Sequence, residues 1–412
     1  MNALILAAAL AVPGIGADEN WPEFRGPGGR GLSDATGLPQ EWSEEKNVAW
    51  KTPIPLKGWS SPVVWGKQVW LTTATPDGGE LYAICVDRDS GKVTLNAKVF
   101  DASPPKLWEK YNSYASPTPV IEEGRVYVTF GSPGTACLDT KTGKVLWTRR
   151  DLPCEHWRGA GSSPVLFGEL LILPFDGYDF QYVVALDKKT GKTVWKADRT
   201  HDFKTTDGDA KKNYCTPTLI EVDGKPQLVT TAAALPAVAH DPRTGKEIWN
   251  YKSKCHSTGT RPLFGHGLVY VCTANPCELV ALRPGAGDLG SDQVAWKATK
   301  DIGQKVSPIL VDDLIYAVKD AGGTATCFDA RTGQPQWTQR LGGGNFTASP
   351  LAADGAIYFF GENGTTVVTK PGRTFAELAR NKLESGCLGT PAIAGKALFI
   401  RTQTHLYRIE KK

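Results

Sequence analysis

The apolar positions of this chain fall in short runs, too brief for helices and broken by Gly, Pro, Asp and Asn. Between residues 119 and 147 four such runs follow one another: Pro119-Val120-Ile121, Arg125 to Thr129, Thr135 to Leu138, and Lys144 to Trp147. Turn-forming residues separate them: Glu122-Glu123-Gly124, Gly131 to Gly134, and Asp139 to Gly143. Runs of this length and β-branched content, punctuated this way, predict four antiparallel strands. Four such strands make one blade of a propeller.

The last turn recurs. Asp139 through Trp147 is matched by Asp187 through Trp195, Asp241 through Trp249 and Asp329 through Trp337. A copy at Asp87 keeps the turn but has Leu95 in place of Trp, and Trp296 ends a copy with a stretched turn. Its Thr-Gly-Lys core is no phosphate loop. Such a loop needs a Gly five positions before its second Gly, and Leu138 and Leu186 stand there before Gly143 and Gly191. The predicted role is a hairpin. Asp offers its carboxylate to backbone N–H groups ahead of it, Gly takes positive φ, and Trp packs on its own blade and the next.

A second marker, Ser or Thr before Pro and an apolar pair, lies upstream of each hairpin. It occurs at Ser61, Ser116, Ser163, Thr216, Ser307, Ser349 and Thr390, with Arg261-Pro262 a variant. The period is about 47 residues, which indicates a propeller or solenoid, and the strand content selects the propeller. Eight markers predict eight blades. The last has room for only three strands, and Asn47-Val48-Ala49-Trp50 lies stranded ahead of the first marker. The expectation is an all-β, eight-bladed propeller spanning 47–412, closed by the strand near Trp50. Seven blades is the fallback if the degenerate repeat around Val367–Leu378 is misread.

Composition adds the setting. Forty-four Gly, 28 Pro and one Met suit a turn-rich, helix-poor chain. A net charge of +4 without any Lys/Arg block points away from nucleic acid. Residues 1–17 read as a signal peptide: an apolar run from Ala3 to Val12, Pro13-Gly14, then small residues to Ala17, though with no Lys or Arg ahead of it. The run is too short to span a bilayer and no second one follows. The expectation is an exported periplasmic or extracellular monomer, with an extended lead-in at 18–46.

Of the nine cysteines, Cys85, Cys137 and Cys327 align with Ala185 and Ala239 at a small buried third-strand position. Cys215 likewise aligns with small residues. Cys272 and Cys277 flank a tight turn where they could pair, and Cys154, Cys255 and Cys387 lie in inter-blade loops. No Cys/His spacing suggests zinc or covalent haem, and Asp207-Gly208-Asp209 lacks the EF-hand spacing.

Function in such a ring belongs to the loops opening on one face. These carry Trp59, Tyr111, Tyr114, His156, Trp157, Arg158, Asp176, Tyr178, Asp179, Tyr214, Arg261, Lys305, Asn345 and Arg401 as ligand-binding candidates. Asn112, His201, Asp202, Asp207, Asp209, His256 and Gln403 lie in the same loops. Aromatics with Arg suit a planar or anionic ligand. No catalytic triad, paired carboxylates or nucleophile elbow can be picked out by spacing, so no catalytic or metal-binding residue is assigned.

Taken together, Ser60-Ser61-Pro62-Val63-Val64, the Val-Tyr-Val strand, the Ala-Leu-Asp strand and the Asp-to-Trp hairpin resemble the pyrroloquinoline quinone (PQQ)-type β-propeller repeat family. The lead-in from Trp21 to Gly31 is similar to that of exported PQQ-like propellers of planctomycete-type bacteria. Two relatives imply different functions. Quinoprotein dehydrogenases hold PQQ beside calcium and a catalytic Asp in the channel. The periplasmic propeller of the outer-membrane barrel assembly machine uses these repeats as a scaffold without cofactor. The chain lacks the adjacent Cys pair and haem site of the former and the lipid-anchor Cys of the latter. The favoured expectation is a non-enzymatic binding or scaffold module, without assigned cofactor, that meets an envelope protein or small ligand through its loop face. The alternative is a PQQ- and calcium-dependent dehydrogenase of alcohols or sugars.

Overall fold

The computed structural model describes residues 19–103, 107 and 112–412; the expected signal peptide lies outside them. Among the described residues the regular structure is almost wholly strand, gathered into eight sheets. In chain order, blades 1 to 7 span 63–101, 120–149, 165–198, 218–251, 263–298, 309–340 and 351–382. Blade 8 joins Ala392–Ala394, Ala397–Arg401 and His405–Glu410 to Val48–Pro53, whose register pairs Val48 with Ile409 and Pro53 with His405. The strand carrying Trp50 therefore closes an eight-bladed ring. The degenerate repeat is a true blade, its third strand Thr365–Thr369 paired with Glu377–Lys382.

Each blade is an antiparallel meander from the channel outward. Its first and third connections must lie on one face of the ring, here the turn face. The second connections and the crossings between blades share the other, the loop face. One marker needs correcting. In blade 2 the inner strand begins at Val120, so Thr118-Pro119 holds the marker position and Ser116-Pro117 lies two residues early. The marker's chemistry shows why the hydroxyl is there. Ser61 N–H donates to Thr118 Oγ1, Thr118 N–H to Ser163 Oγ, and Ser163 N–H to Thr216 Oγ1. The same relay runs from Arg261 through Ser307 and Ser349 to Thr390. Each hydroxyl accepts the preceding blade's buried backbone donor, which would otherwise go unpaired.

The outer hairpins carry a second contact between blades. At Asp187 the carboxylate accepts from Lys189 N–H, Thr190 N–H and Thr190 Oγ1. Gly191 then turns at φ +72°, and Trp147 of the preceding blade lies flat against it. Trp147 Nε1 donates to Lys188 O at 3.0 Å. Trp50 to Arg88 O, Trp195 to Pro242 O and Trp296 to Ala330 O repeat this bond, each to the residue after the hairpin Asp. Inside its own blade Trp147 packs on Tyr127 of the second strand, opposite Cys137 of the third. Cys85, Cys137 and Cys327 are all buried at that small position. The nine cysteines, Cys272 and Cys277 included, are free thiols, and all but Cys277 are buried.

Residues 19–46 form a plug. Glu19 pairs with Arg88 and Asn20 Oδ1 accepts from Gly66 N–H, both at the turn face. Trp21 then bridges to Val64 and Pro22 O accepts from Ile121 N–H, on the inner strands of blades 1 and 2. Across the channel, Arg261 donates to Phe24 O and to Glu23 Oε2, and Arg25 donates to Pro308 O. The chain returns along blade 7, where Leu32 bridges to Ala352. It leaves past Asp354, whose carboxylate accepts from Leu38 N–H. Trp42 then stacks on Tyr358 at 6.2 Å, while Ala379 occupies the outer-strand position that holds Trp in other blades.

The hairpin contact predicts a graded pair of variants. Gly191→Ala places a methyl at positive φ and 2.6 Å from the Trp147 ring, so it should destabilise the protein by about 2–4 kcal/mol. Gly224→Ala sits at φ +70° with nothing within 4 Å and should cost only about 1 kcal/mol. Equal midpoints for the two in urea denaturation would refute the contact's role.

Candidate functional site

On the loop face the channel opens into two adjoining cavities of about 560 and 550 Å³. Trp59, Asn112, Lys305, Thr347 and Leu388 line both. The central one is walled by the marker residues Ser61, Thr118, Ser163, Thr216 and Thr390, and its floor is Phe24, carried there by the plug. Arg158, Asp209, Tyr214, His256 and Gln304 complete it. The second cavity adds Lys57, Tyr114, Asn345, Glu362 and Gln403.

Six of the expected ligand-binding residues therefore meet at the mouth: Trp59, Tyr114, Arg158, Tyr214, Lys305 and Asn345. Their backbones are fixed by the connections that carry them. Trp59 N–H donates to Ala115 O at 3.0 Å, tying blade 1 to blade 2. Tyr114 Oη accepts from Leu107 N–H at 2.9 Å. Lys305 hangs from a loop whose N–H groups at 304, 305 and 306 all donate to the Asp320 carboxylate. Its Nζ donates to Thr347 Oγ1 at 3.2 Å, and Thr347 donates to Glu362 Oε1. On the opposite wall, buried Lys212 pairs with Asp209. Burial, then the neighbouring Arg158 charge, pushes Lys212 down to about 8.

Five expected residues form a separate cluster between blades 2 and 3. Trp157 stacks on Tyr178 at 5.3 Å and is exposed. Asp179 accepts from the N–H groups of Glu155 and Phe180. Buried Asp176 meets Arg199 in a two-pronged ion pair at 3.1 and 3.2 Å, and Arg199 also donates to Thr230 Oγ1 of blade 4 at 3.0 Å. His156 accepts from Ser132 N–H at Nε2, with Nδ1 3.6 Å from Cys154 Sγ. Burial holds this imidazole neutral, down at about 4.

Two expected residues are turned inward. Arg261 is 2% exposed and serves the plug; Arg401 is 3% exposed and donates to Ser60 O and Oγ, locking blade 8 to blade 1. Tyr111 lies outside the described residues. Gln304, Thr347, Glu362, Leu388 and Phe24 were not anticipated. The marker Pro that follows each crossing could have aligned Gln304, Thr347 and Leu388 to the mouth, whereas Glu362 lies between the second and third strands of blade 7 and Phe24 in the plug, away from any marker.

The donor set bears on the implied cofactor. Aromatics with Arg158 and Lys305 suit an anion in kind. A carboxylate-rich calcium cage does not form, because among the described residues no three His, Cys, Asp or Glu side chains converge. The mouth carboxylates Asp209 and Glu362 stand on opposite walls, tied to Lys212 and Thr347.

Comparison with known proteins gives the family and the fold. The family described as outer membrane protein assembly factor BamB matches residues 98–339 and 181–412. An outer membrane protein assembly factor BamB from Burkholderia pseudomallei is 23% identical over 304 residues, 69% of this chain and 70% of that one. A quinoprotein ethanol dehydrogenase from Pseudomonas aeruginosa is 32% identical over 148 residues, but the match spans only 32% of this chain and 22% of that one. Among solved structures, quinohemoprotein alcohol dehydrogenase from Comamonas testosteroni superposes with TM-score 0.68 at 11% identity, covering 95% of this chain and 81% of that one. BamB from Moraxella catarrhalis does so with TM-score 0.62 at 12% identity, covering 89% and 97%. At such identities the structural likeness speaks for the fold alone.

The His156 environment predicts an acid-sensitive loop. Its folded value lies below the unfolded 6.5, so its contribution is complete above about pH 6.5 and is lost as pH falls toward about 4. The loss should reach about 2–3 kcal/mol. His156→Gln keeps an acceptor for Ser132 and does not titrate. Urea midpoints at pH 7 and pH 4.5 should therefore draw closer together in this variant than in the unaltered chain; an unchanged gap counts against the assignment.

Proposed function

From the premise that the chain belongs to the PQQ-repeat family described as outer membrane protein assembly factor BamB, we propose that it is a non-enzymatic binding module. It acts in the cell envelope as a monomer, after removal of residues 1–17, and holds a protein partner on its loop face. The observation that carries this reading is the asymmetry of the channel. The lead-in enters at the turn face and fills the channel as far as Phe24, whereas the loop face beyond it offers two open cavities with aromatic, amide and cationic linings. Next to them stand the exposed Trp157 and its partner Tyr178. Aromatic and Arg side chains are the usual anchors of protein interfaces. Among the described residues the mouth's two carboxylates, Asp209 and Glu362, are tied to Lys212 and Thr347. No described helix is long and apolar enough to cross a membrane.

The dehydrogenase reading draws on the 32% identity of the partial match and predicts a different outcome in the same preparation. The purified chain immobilised on resin should capture a discrete protein from envelope extracts. Trp157→Ala with Arg158→Ala should lower its recovery roughly 30-fold, as expected for interface anchors. Undiminished recovery would remove this face from consideration. Dye reduction with ethanol or glucose after loading with PQQ and calcium would overturn the non-enzymatic reading.

A further inference from the structure

The plug brings two guanidinium groups into the channel core. Arg25 and Arg261 are 0% and 2% exposed. Among the described residues Glu23 is the only carboxylate bonded to either, through Arg261 Nη2 at 2.8 Å. Arg25 has only carbonyl partners, Pro308 O at 2.7 Å and Arg30 O at 3.3 Å, both from Nη2. Its Nε and Nη1 have no protein acceptor, and neither does Arg261 Nε. Burial and the Arg261 charge push Arg25 down to about 9, so it remains a cation at neutral pH. One positive charge and three N–H-bearing nitrogens are thus left over in a site shielded from solvent, where unpaired charge and unmet donors are both costly. Water can satisfy the donors but cannot offset the charge.

We infer that the channel core binds a small monovalent anion, of the chloride class, between Arg25 and Arg261. The charge sets the valence. With Glu23 already paired to Arg261, one positive charge is left over, which a monovalent ion neutralises and a dianion such as sulfate would overshoot. The site would make seating of the plug, and hence the floor at Phe24, depend on a halide. This inference is independent of what binds the loop face.

The test is thermal unfolding at constant ionic strength with chloride exchanged for gluconate. The unaltered chain should melt about 3 °C higher when chloride is raised from trace to a hundredfold excess over its dissociation constant. Sulfate should not replace chloride. Arg25→Gln should melt at one temperature in either salt. Crystals of the unaltered chain grown in bromide should show an anomalous peak within reach of Arg25 Nε and Nη1. That measurement decides the matter if the variant does not fold. A bromide crystal with only water-like density there, or an equal chloride response in Arg25→Gln, overturns the site.

Discussion

The ring depends on one repeated contact, the indole of one blade lying on the hairpin glycine of the next, as Trp50, Trp147, Trp195 and Trp296 do. The contact has three parts that must coincide. The Asp carboxylate holds the turn by accepting from the N–H groups two and three residues on, as Asp139 and Asp329 also do. The glycine leaves a flat surface where any side chain would intrude. The indole covers that surface and passes its N–H to the carbonyl just beyond the Asp. Burying an indole contributes roughly 4–6 kcal/mol gross before ordering entropy. Satisfying its N–H avoids the cost of a buried unpaired donor. Because the contact joins neighbours, every blade is held by residues it does not own, and the ring must close for the first and last to be held at all. Trp50 on Gly91 is that closing contact.

Departures from the pattern are each covered by another part of the chain. Blade 1 ends in Leu95, which lies 3.5 Å from a methyl placed on Gly143, an ordinary apolar contact. In blade 4, Trp249 turns inward to donate to Gln227 Oε1. The next hairpin is the stretched one, and its strand Gly287–Leu289 adds in parallel to Glu247–Tyr251, covering the edge that the missing contact leaves. Blade 7 has Ala379 where an indole would be, and Trp42 of the lead-in packs on Tyr358 instead. The lead-in thus stands in for a missing repeat residue as well as filling the channel.

How much of this the sequence disclosed follows from which features repeat. The hairpin and the Pro marker recur, so blade number, the closing strand and the small cysteine positions could be read by alignment. The tandem Ser116-Pro117-Thr118-Pro119 offered two equivalent markers, and only the chain's register chooses Thr118. At the mouth, Trp59, Arg158, Tyr214 and Lys305 were legible because polar and aromatic residues in inter-blade loops converge on the axis. The same rule misplaced Arg261 and Arg401. Arg261 stands at the marker position, where side chains face the channel, and its acceptors come from a plug more than 200 residues away in sequence. The plug itself, Trp21 to Leu32, occurs once, so no period could announce it. Glu362 carries no signal of its own, since its role arises from the bond that Thr347 donates to it beside Lys305.

These observations constrain where this chain can vary. The turn face is committed to hairpins, to the indole contacts and to the entry of the lead-in, so a change there propagates to a neighbouring blade. The channel interior is committed to the hydroxyl relay and the plug. Only the loop face is built from residues whose backbones are anchored while their side chains remain at a cavity. Lys305 shows the principle: its N–H is fixed by half-buried Asp320, whereas its ammonium reaches across to Thr347 on the next crossing. A scaffold that secures the backbone from behind leaves the side chains open to substitution at little cost to folding. One repeat can therefore serve an oxidising enzyme in one protein and an assembly factor in another. What separates them is the set of groups at the mouth, and here that set is cationic, aromatic and amide-bearing.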